Sequence, residues 1–168
     1  MLKEIMNTNH IWSGVPRLDP IYKNFWISAR PEIYALEDYV DSLNEARIRN
    51  LVVLMSQKEI KQKYGSFDLI QFYKDEGFHV SRYPIPDFSV PRDINKFSEF
   101  VQAIAKATSE TLVHCSAGLG RSGLFMSCLM IEFGYSAKDA IKLVRRQRPG
   151  AVETPEQEEF VFDYDYMN

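Results

Sequence analysis

Apolar positions along the chain switch between two periods. Short continuous apolar runs alternate with stretches in which apolar residues return every three or four positions, the signatures of buried strand and amphipathic helix. Residues 25–28 read as a strand, and 31–46 as a helix with Leu36, Tyr39, Val40 and Leu43 on one face. Residues 51–55 are continuously apolar, as a parallel strand covered on both faces requires. Ser66 stands where an N-cap would open a helix carrying Leu69, Ile70, Phe72 and Tyr73, with Gly77 just past its end. Residues 78–83 read as a strand. The stretch 84–91 holds three prolines and reads as a loop. Ile94, Phe97, Val101 and Ile104 then mark an amphipathic helix reaching residue 107.

A β-prone run at 111–113 leads into H-C-S-A-G-L-G-R-S, and a helical pattern resumes over 122–133. Ser136 with Asp139 has the spacing of a capping box for a helix that stops before Pro149. Thr154-Pro155-Glu156-Gln157 repeats the logic, with proline at the first helical position. Strands alternating with helices predict an α/β fold: one domain with a central, mainly parallel sheet flanked by helices. Residues 1–13 read as a loose polar lead-in and 14–168 as the domain.

Composition narrows the function. The 168 residues suit one domain, and 45% apolar content suffices for one substantial core. A net charge of −3 offers no general attraction to nucleic acid or to an anionic membrane, so any anion site must be local. Two cysteines, Cys115 and Cys128, are too few for a disulfide framework. The first twelve residues lack the apolar run of a signal peptide, and no stretch approaches the ~20 apolar residues of a membrane span. A reducing, cytoplasmic setting is expected, which suits a free thiolate. His10 and His79 lack metal-ligand spacing, so neither metal nor cofactor is expected. Nothing in the pattern speaks to oligomeric state.

The segment His114-Cys115-Ser116-Ala117-Gly118-Leu119-Gly120-Arg121-Ser122 joins a strand to a helix. Ligand sites of open α/β sheets lie outside the carboxyl ends of the strands. A helix N-terminus there offers free N–H groups and a positive dipole end to an anion. Small residues and two glycines let the loop curl with its amides inward. Arg121 can reach over the loop and grip two phosphate oxygens. The same fields favour the Cys115 thiolate, so one loop can hold both a phosphoryl group and its attacker.

This segment resembles the loop of the protein tyrosine phosphatase superfamily, H-C-x-x-G-x-x-R-S/T, at His114, Cys115, Gly118, Arg121 and Ser122. Average composition would produce that match by chance on the order of once in 10⁴–10⁵ chains of this length, so the resemblance outweighs coincidence. Ile85-Pro86-Asp87-Phe88 resembles the family's general-acid loop. Residues 145–157, R-R-Q-R-P-G-A-V-E-T-P-E-Q, resemble the segment that follows in compact dual-specificity phosphatases and their cell-cycle relatives.

The resemblance implies Cys115 as nucleophile and Asp87 as general acid. It implies Ser116, Ala117, Gly118, Leu119, Gly120 and Arg121 as the phosphate loop, Ser122 as a donor aiding departure of the thiolate, and His114 as an orienting residue. It implies a phosphorylated protein as substrate. The chain lacks the K-N-R-Y motif of the tyrosine-specific branch, of which Lys23-Asn24-Phe25 is a fragment, and Glu153 replaces that branch's water-orienting glutamine. A shallower cleft, open to phosphotyrosine and phosphoserine or phosphothreonine, is therefore expected.

Several residues carry rival readings. Asp87 could be a turn former, with Asp93 the competing carboxylate, although Asp93 fits a helix start. Gln157 either positions the hydrolytic water or merely closes its capping box. Cys128, among Leu124, Phe125, Leu129 and Met130, reads as core. Arg145, Arg146 and Arg148 read as ordinary cations near a helix C-terminus before they read as a substrate-facing patch. At the level of the whole protein, three alternatives stand. One is a same-fold phosphatase on a phosphoinositide, nucleotide or RNA 5′-triphosphate. The others are a phospho-binding module without turnover and a sulfurtransferase or arsenate reductase. The loop's lack of lysines counts against highly phosphorylated lipids, and the intact Cys115, Arg121 and Asp87 count against the binding module.

Overall fold

Among the described residues, five short strands and seven α-helices build the α/β domain expected from the pattern. The structure is a computed structural model that describes residues 14–168. The lead-in read at 1–13 and His10 lie outside the described residues. The strands are β1 (Asp19–Tyr22), β2 (Phe25–Ser28), β3 (Asn50–Val53), β4 (His79–Arg82) and β5 (Thr111–His114). They lie in the order β1-β2-β5-β3-β4, and every pairing is parallel except β1 with β2.

The helices are α1 (Leu36–Glu45), α2 (Gln57–Tyr64), α3 (Leu69–Asp75), α4 (Ile94–Ala105), α5 (Gly120–Glu132), α6 (Ala137–Gln147) and α7 (Pro155–Met167). Alternation across the sheet explains the two cores. Val52 and Val113 face one side, with α4 to α7; Leu51, Val53 and Leu112 face the other, with α1 to α3. All four residues of β5 are buried, as befits the middle strand. Among the described residues, no helix is long and apolar enough to cross a membrane.

Several expectations need correction. The helix expected from residue 31 begins as a 3-10 turn at Ile33–Ala35 and becomes α-helical at Leu36, because Glu32 is still extended. Asp68, not Ser66, caps α3, accepting from the Gln71 N–H at 3.0 Å. α5 starts at Gly120, two residues before the expected 122. At α6 only half of the capping box forms. Ser136 accepts from the Asp139 N–H, while Asp139 faces the Ser136 hydroxyl rather than its backbone. The box of α7 is complete.

Two elements went unforeseen. β1 is a four-residue edge strand containing Pro20, and α2 has only Ile60 and Tyr64 buried among charged neighbours.

Candidate active site

β5 ends at His114, and the chain turns directly into the loop that starts α5. Five consecutive loop carbonyls are held from outside. Cys115 O faces His114 Nδ1 at 3.0 Å, and Ser116 O accepts from the Arg30 N–H at 2.9 Å. Ala117 O and Gly118 O accept from Arg148 Nη2 and Nε at 3.1 and 3.0 Å. Leu119 O accepts from the N–H groups of Gly123 and Val152 at 2.9 and 3.1 Å. In a trans peptide the N–H points opposite its C=O. Carbonyls drawn outward therefore turn the amides of residues 116–120 to the other side, forming a concave nest for an anion.

Gly118 makes this curl possible. It has φ +68°, and a Cβ there would fall 2.1 Å from Ser28 O. The loop thus lies against the end of β2 with no room for a side chain.

His114 is fully buried. Because the Cys115 carbonyl carries no proton, Nδ1 must donate to it, which leaves Nε2 to accept from the Tyr73 hydroxyl at 3.0 Å. Burial, only partly opposed by the Cys115 bond, lowers the His114 pKa to about 4. The ring is neutral at pH 7 and orients the loop rather than charging it. On unfolding it regains a higher pKa, so the unfolded state binds more protons between about pH 4 and 6.5. This contribution to stability is complete above pH 6.5 and is lost as pH falls toward 4. The melting temperature should fall over that window in the wild type and fall less in His114→Gln. Equal slopes would remove His114 from the acid response.

Arg121 is 1% exposed. Burial opposes its charge, but hydrogen bonds and fields from Glu59, with those of Cys115 and Asp87, outweigh burial and raise its pKa. Glu59, from the first turn of α2, takes both terminal nitrogens at 2.7 and 2.8 Å, and Nη1 also donates to Ile85 O. This bidentate grip fixes the guanidinium plane. Among the described residues, three buried side-chain polar atoms have no hydrogen-bond partner: Arg82 Nε, Arg121 Nε and Ser122 Oγ. Two of the three belong to the loop. Since buried polar groups are normally paired, these two mark the segment as a place for a polar ligand.

Asp87 lies 2.9 Å from Arg121 Nη2 with its side chain 52% exposed. Oδ1 also accepts from the N–H of Phe88, which has φ 55° and is itself exposed. The carboxylate therefore stands over the loop within reach of solvent. Asp93, the rival carboxylate, caps α4, accepting from the N–H groups of Asn95 and Lys96.

Gln157 is fully buried. Its Oε1 accepts from the N–H groups of Glu153 and Thr154, and Nε2 donates to Ser89 O. Cβ added at Gly120 would meet both Gln157 and Glu153, so these two border the start of α5. Cys128 packs in the core, and burial pushes its thiol well above the ordinary range. Arg145 is turned to Ala151 O, Val152 O and Glu158.

Sequence reasoning missed Glu59 and Tyr73 as partners of the site. Only Ser56, spaced three residues before Glu59 as in a capping motif, signalled the start of α2.

Comparison with known proteins places this geometry. Residues 31–161 match the family described as Swiss Army Knife protein, DSP-PTPase phosphatase domain. The chain belongs to this family. Cyclin-dependent kinase inhibitor 3 of Rattus norvegicus is 31% identical over 130 residues, which cover 74% of the chain and 60% of the rat protein. Tyrosine-protein phosphatase cdc-14 of Caenorhabditis elegans is 30% identical over 125 residues, 74% of the chain and 16% of that protein. The chain thus spans three fifths or less of these relatives' lengths. Among solved structures, Tk-PTP in the active form is 29% identical, with a TM-score of 0.75 over 90% of this chain and 97% of that one. Kinase associated phosphatase, with serine substituted for its catalytic-site cysteine, shares the fold at 22% identity and a TM-score of 0.77 over 90% and 94% of the two chains.

In a DSP-PTPase domain with this geometry, the plane of Arg121 is expected to matter as much as its charge. Arg121→Lys keeps the cation and three donors, but its single nitrogen cannot reproduce the two-nitrogen fork on the Glu59 carboxylate or hold further donors in a fixed plane. It should lose about 10²-fold in kcat/KM, part of it in kcat. A lysine variant within about threefold of wild type would reduce Arg121 to a point charge.

Proposed function

We propose that the chain is a metal-independent phosphatase of phosphorylated proteins, acting on phosphotyrosine and on phosphoserine or phosphothreonine through a phosphocysteine intermediate on Cys115. The observation that carries this reading is the buried, plane-locked Arg121, whose Nε is unpartnered, at the end of a loop whose carbonyls from Cys115 to Leu119 are all held outward. Such a nest supplies the positioning and countercharge that phosphoryl transfer mainly requires.

In the first step the Cys115 sulfur forms a bond to phosphorus, the ester P–O bond breaks, and Asp87 gives its proton to the departing oxygen. In the second step water attacks phosphorus, Asp87 takes a proton from it, the P–S bond breaks and inorganic phosphate leaves. We assign Ser122 Oγ, a buried hydroxyl without a hydrogen-bond partner, as the donor to the leaving sulfur. Gln157 enters the second step only through the second N–H of its Nε2, since its oxygen is occupied by capping. A reducing, cytoplasmic compartment is the setting we propose for such a thiolate.

The test is hydrolysis of a generic aryl phosphate and of phosphopeptides, with and without vanadate. Turnover that vanadate blocks is expected. Vanadate binding without turnover would make the chain a phospho-binding module. Turnover confined to lipid or nucleotide phosphates would move the substrate class.

A further inference from the structure

The five outward carbonyls of the phosphate loop are not equally secured. Cys115 O, Ser116 O and Leu119 O are held by the adjoining histidine or by backbone N–H groups of packed segments. The two middle carbonyls, Ala117 O and Gly118 O, are held by a single side chain, Arg148, reaching from the C-terminus of α6. That guanidinium is in turn held by Asp19 of β1, whose Oδ2 lies 2.7 Å from Arg148 Nη1. Asp19 is also paired with Arg17. The side chains of Arg148 and Asp19 are only 13% and 9% exposed, so the pair is little screened by solvent.

All three nitrogens of Arg148 are therefore engaged: Nε and Nη2 on consecutive loop carbonyls, Nη1 on the carboxylate. The planar fork sets the spacing between two successive peptide units. Because each C=O is rigidly opposed to its own N–H, that spacing fixes the inward direction of the Gly118 and Leu119 amides. Arg148 also places a cation behind the loop, on the side away from the ligand.

We infer that Asp19 and Arg148 form a clamp that shapes the phosphate loop from behind, making both of them positioning residues for phosphate recognition and for the reactivity of Cys115. Neither touches the reacting atoms. Arg148 acts through the carbonyls of Ala117 and Gly118, and Asp19 acts through Arg148. The inference rests on the phosphate-loop reading above.

The experiment begins with wild-type protein and inorganic vanadate. Vanadate inhibition with turnover, or vanadate binding alone, establishes the loop as an oxyanion site. Failure of both would overturn the phosphate-loop reading, and the clamp with it. Arg148→Met, Arg148→Lys and Asp19→Asn are then compared for vanadate affinity, kcat/KM on an aryl phosphate and the pH dependence of Cys115 alkylation by iodoacetamide. Melting temperature is followed in parallel.

Misplacing two amides should weaken vanadate binding at least ~10-fold in Arg148→Met and lower kcat/KM by about 10–100-fold. The alkylation midpoint should move upward by about one pH unit, because the thiolate loses aligned donors. Arg148→Lys should resemble Arg148→Met, since an ammonium cannot span two carbonyls and a carboxylate in one plane. Asp19→Asn should fall between, and Arg146→Gln should match wild type. A purely structural clamp would lower melting temperature while vanadate affinity and alkylation profile stayed at wild-type values in the folded variants. That result would overturn the inference. If Arg148→Met does not fold, Asp19→Asn decides, because it leaves both carbonyl contacts possible while removing the charge that orients the fork. An Asp19→Asn protein with unchanged vanadate affinity and an unchanged alkylation profile would equally overturn it.

Discussion

Cys115→Ser is expected to abolish turnover while leaving vanadate and phosphate able to bind. Serine nearly matches the volume of the thiol, so the loop around the buried side chain should keep its shape. The hydroxyl, however, is not ionised near pH 7. The adjoining imidazole of His114 is turned away, with Nδ1 on Cys115 O and Nε2 on Tyr73. Its lowered pKa makes it a poor proton acceptor as well. The loss should be ~10³-fold or more, the scale on which removing a nucleophile acts in other enzymes. Isothermal titration with phosphate alongside a turnover assay separates the two outcomes. A serine variant keeping a tenth of the wild-type rate would sink the phosphocysteine mechanism.

Asp87→Asn should show a loss that depends on the leaving group. A tyrosyl or alkyl oxygen needs a proton as it departs, whereas an activated aryl oxide needs much less help. The expected loss is ~10²–10³-fold on phosphopeptides and clearly less on the activated aryl ester. The acidic limb of the kcat/KM profile, set by the nucleophile, should persist, and the basic limb should flatten. Asparagine also gives up the ion pair to Arg121 Nη2. That change within the protein is the same whichever ester is bound, so it cannot imitate the leaving-group dependence. Asp93→Asn is the control, because its carboxylate is engaged with the N-terminus of α4. Equal losses on both substrates with the basic limb intact would place the acid elsewhere.

The parts of the site that could be read from the sequence are those carried by local segments. The loop from His114 to Ser122 is one continuous stretch, and the Asp87 loop is punctuated by prolines. The capping box at Thr154 and Gln157 spans one helical turn, and its hydrogen bonds form as its spacing implies. What the sequence hid depends on long-range closure. Glu59 meets Arg121 across 62 positions, Tyr73 meets His114 across 41, and Asp19 meets Arg148 across 129. No spacing rule reaches that far. α2 was hidden for a second reason. Its two buried residues among lysines and glutamines make too thin a stripe to register as a period, yet the helix brings in Glu59. Arg148 reads in the sequence as a helix-end cation, and only its burial against the loop gives it another use.

The strand order has a consequence for how the chain is made. β5 fills the slot between β2 and β3, yet of the five described strands it is the last to leave the ribosome. Until residues 111–114 emerge, β2 and β3 each present an open hydrogen-bonding edge to the cell, lined with apolar side chains. A nascent chain that stops short of β5 is thus aggregation-prone by its topology, and a natural substrate for holding chaperones. The same ordering protects the chemistry. Cys115 arrives on the strand that completes the sheet, and Arg30, Tyr73, Glu59 and Asp19 wait on segments already synthesised. The loop that carries Cys115 therefore takes its shape only as the sheet is completed.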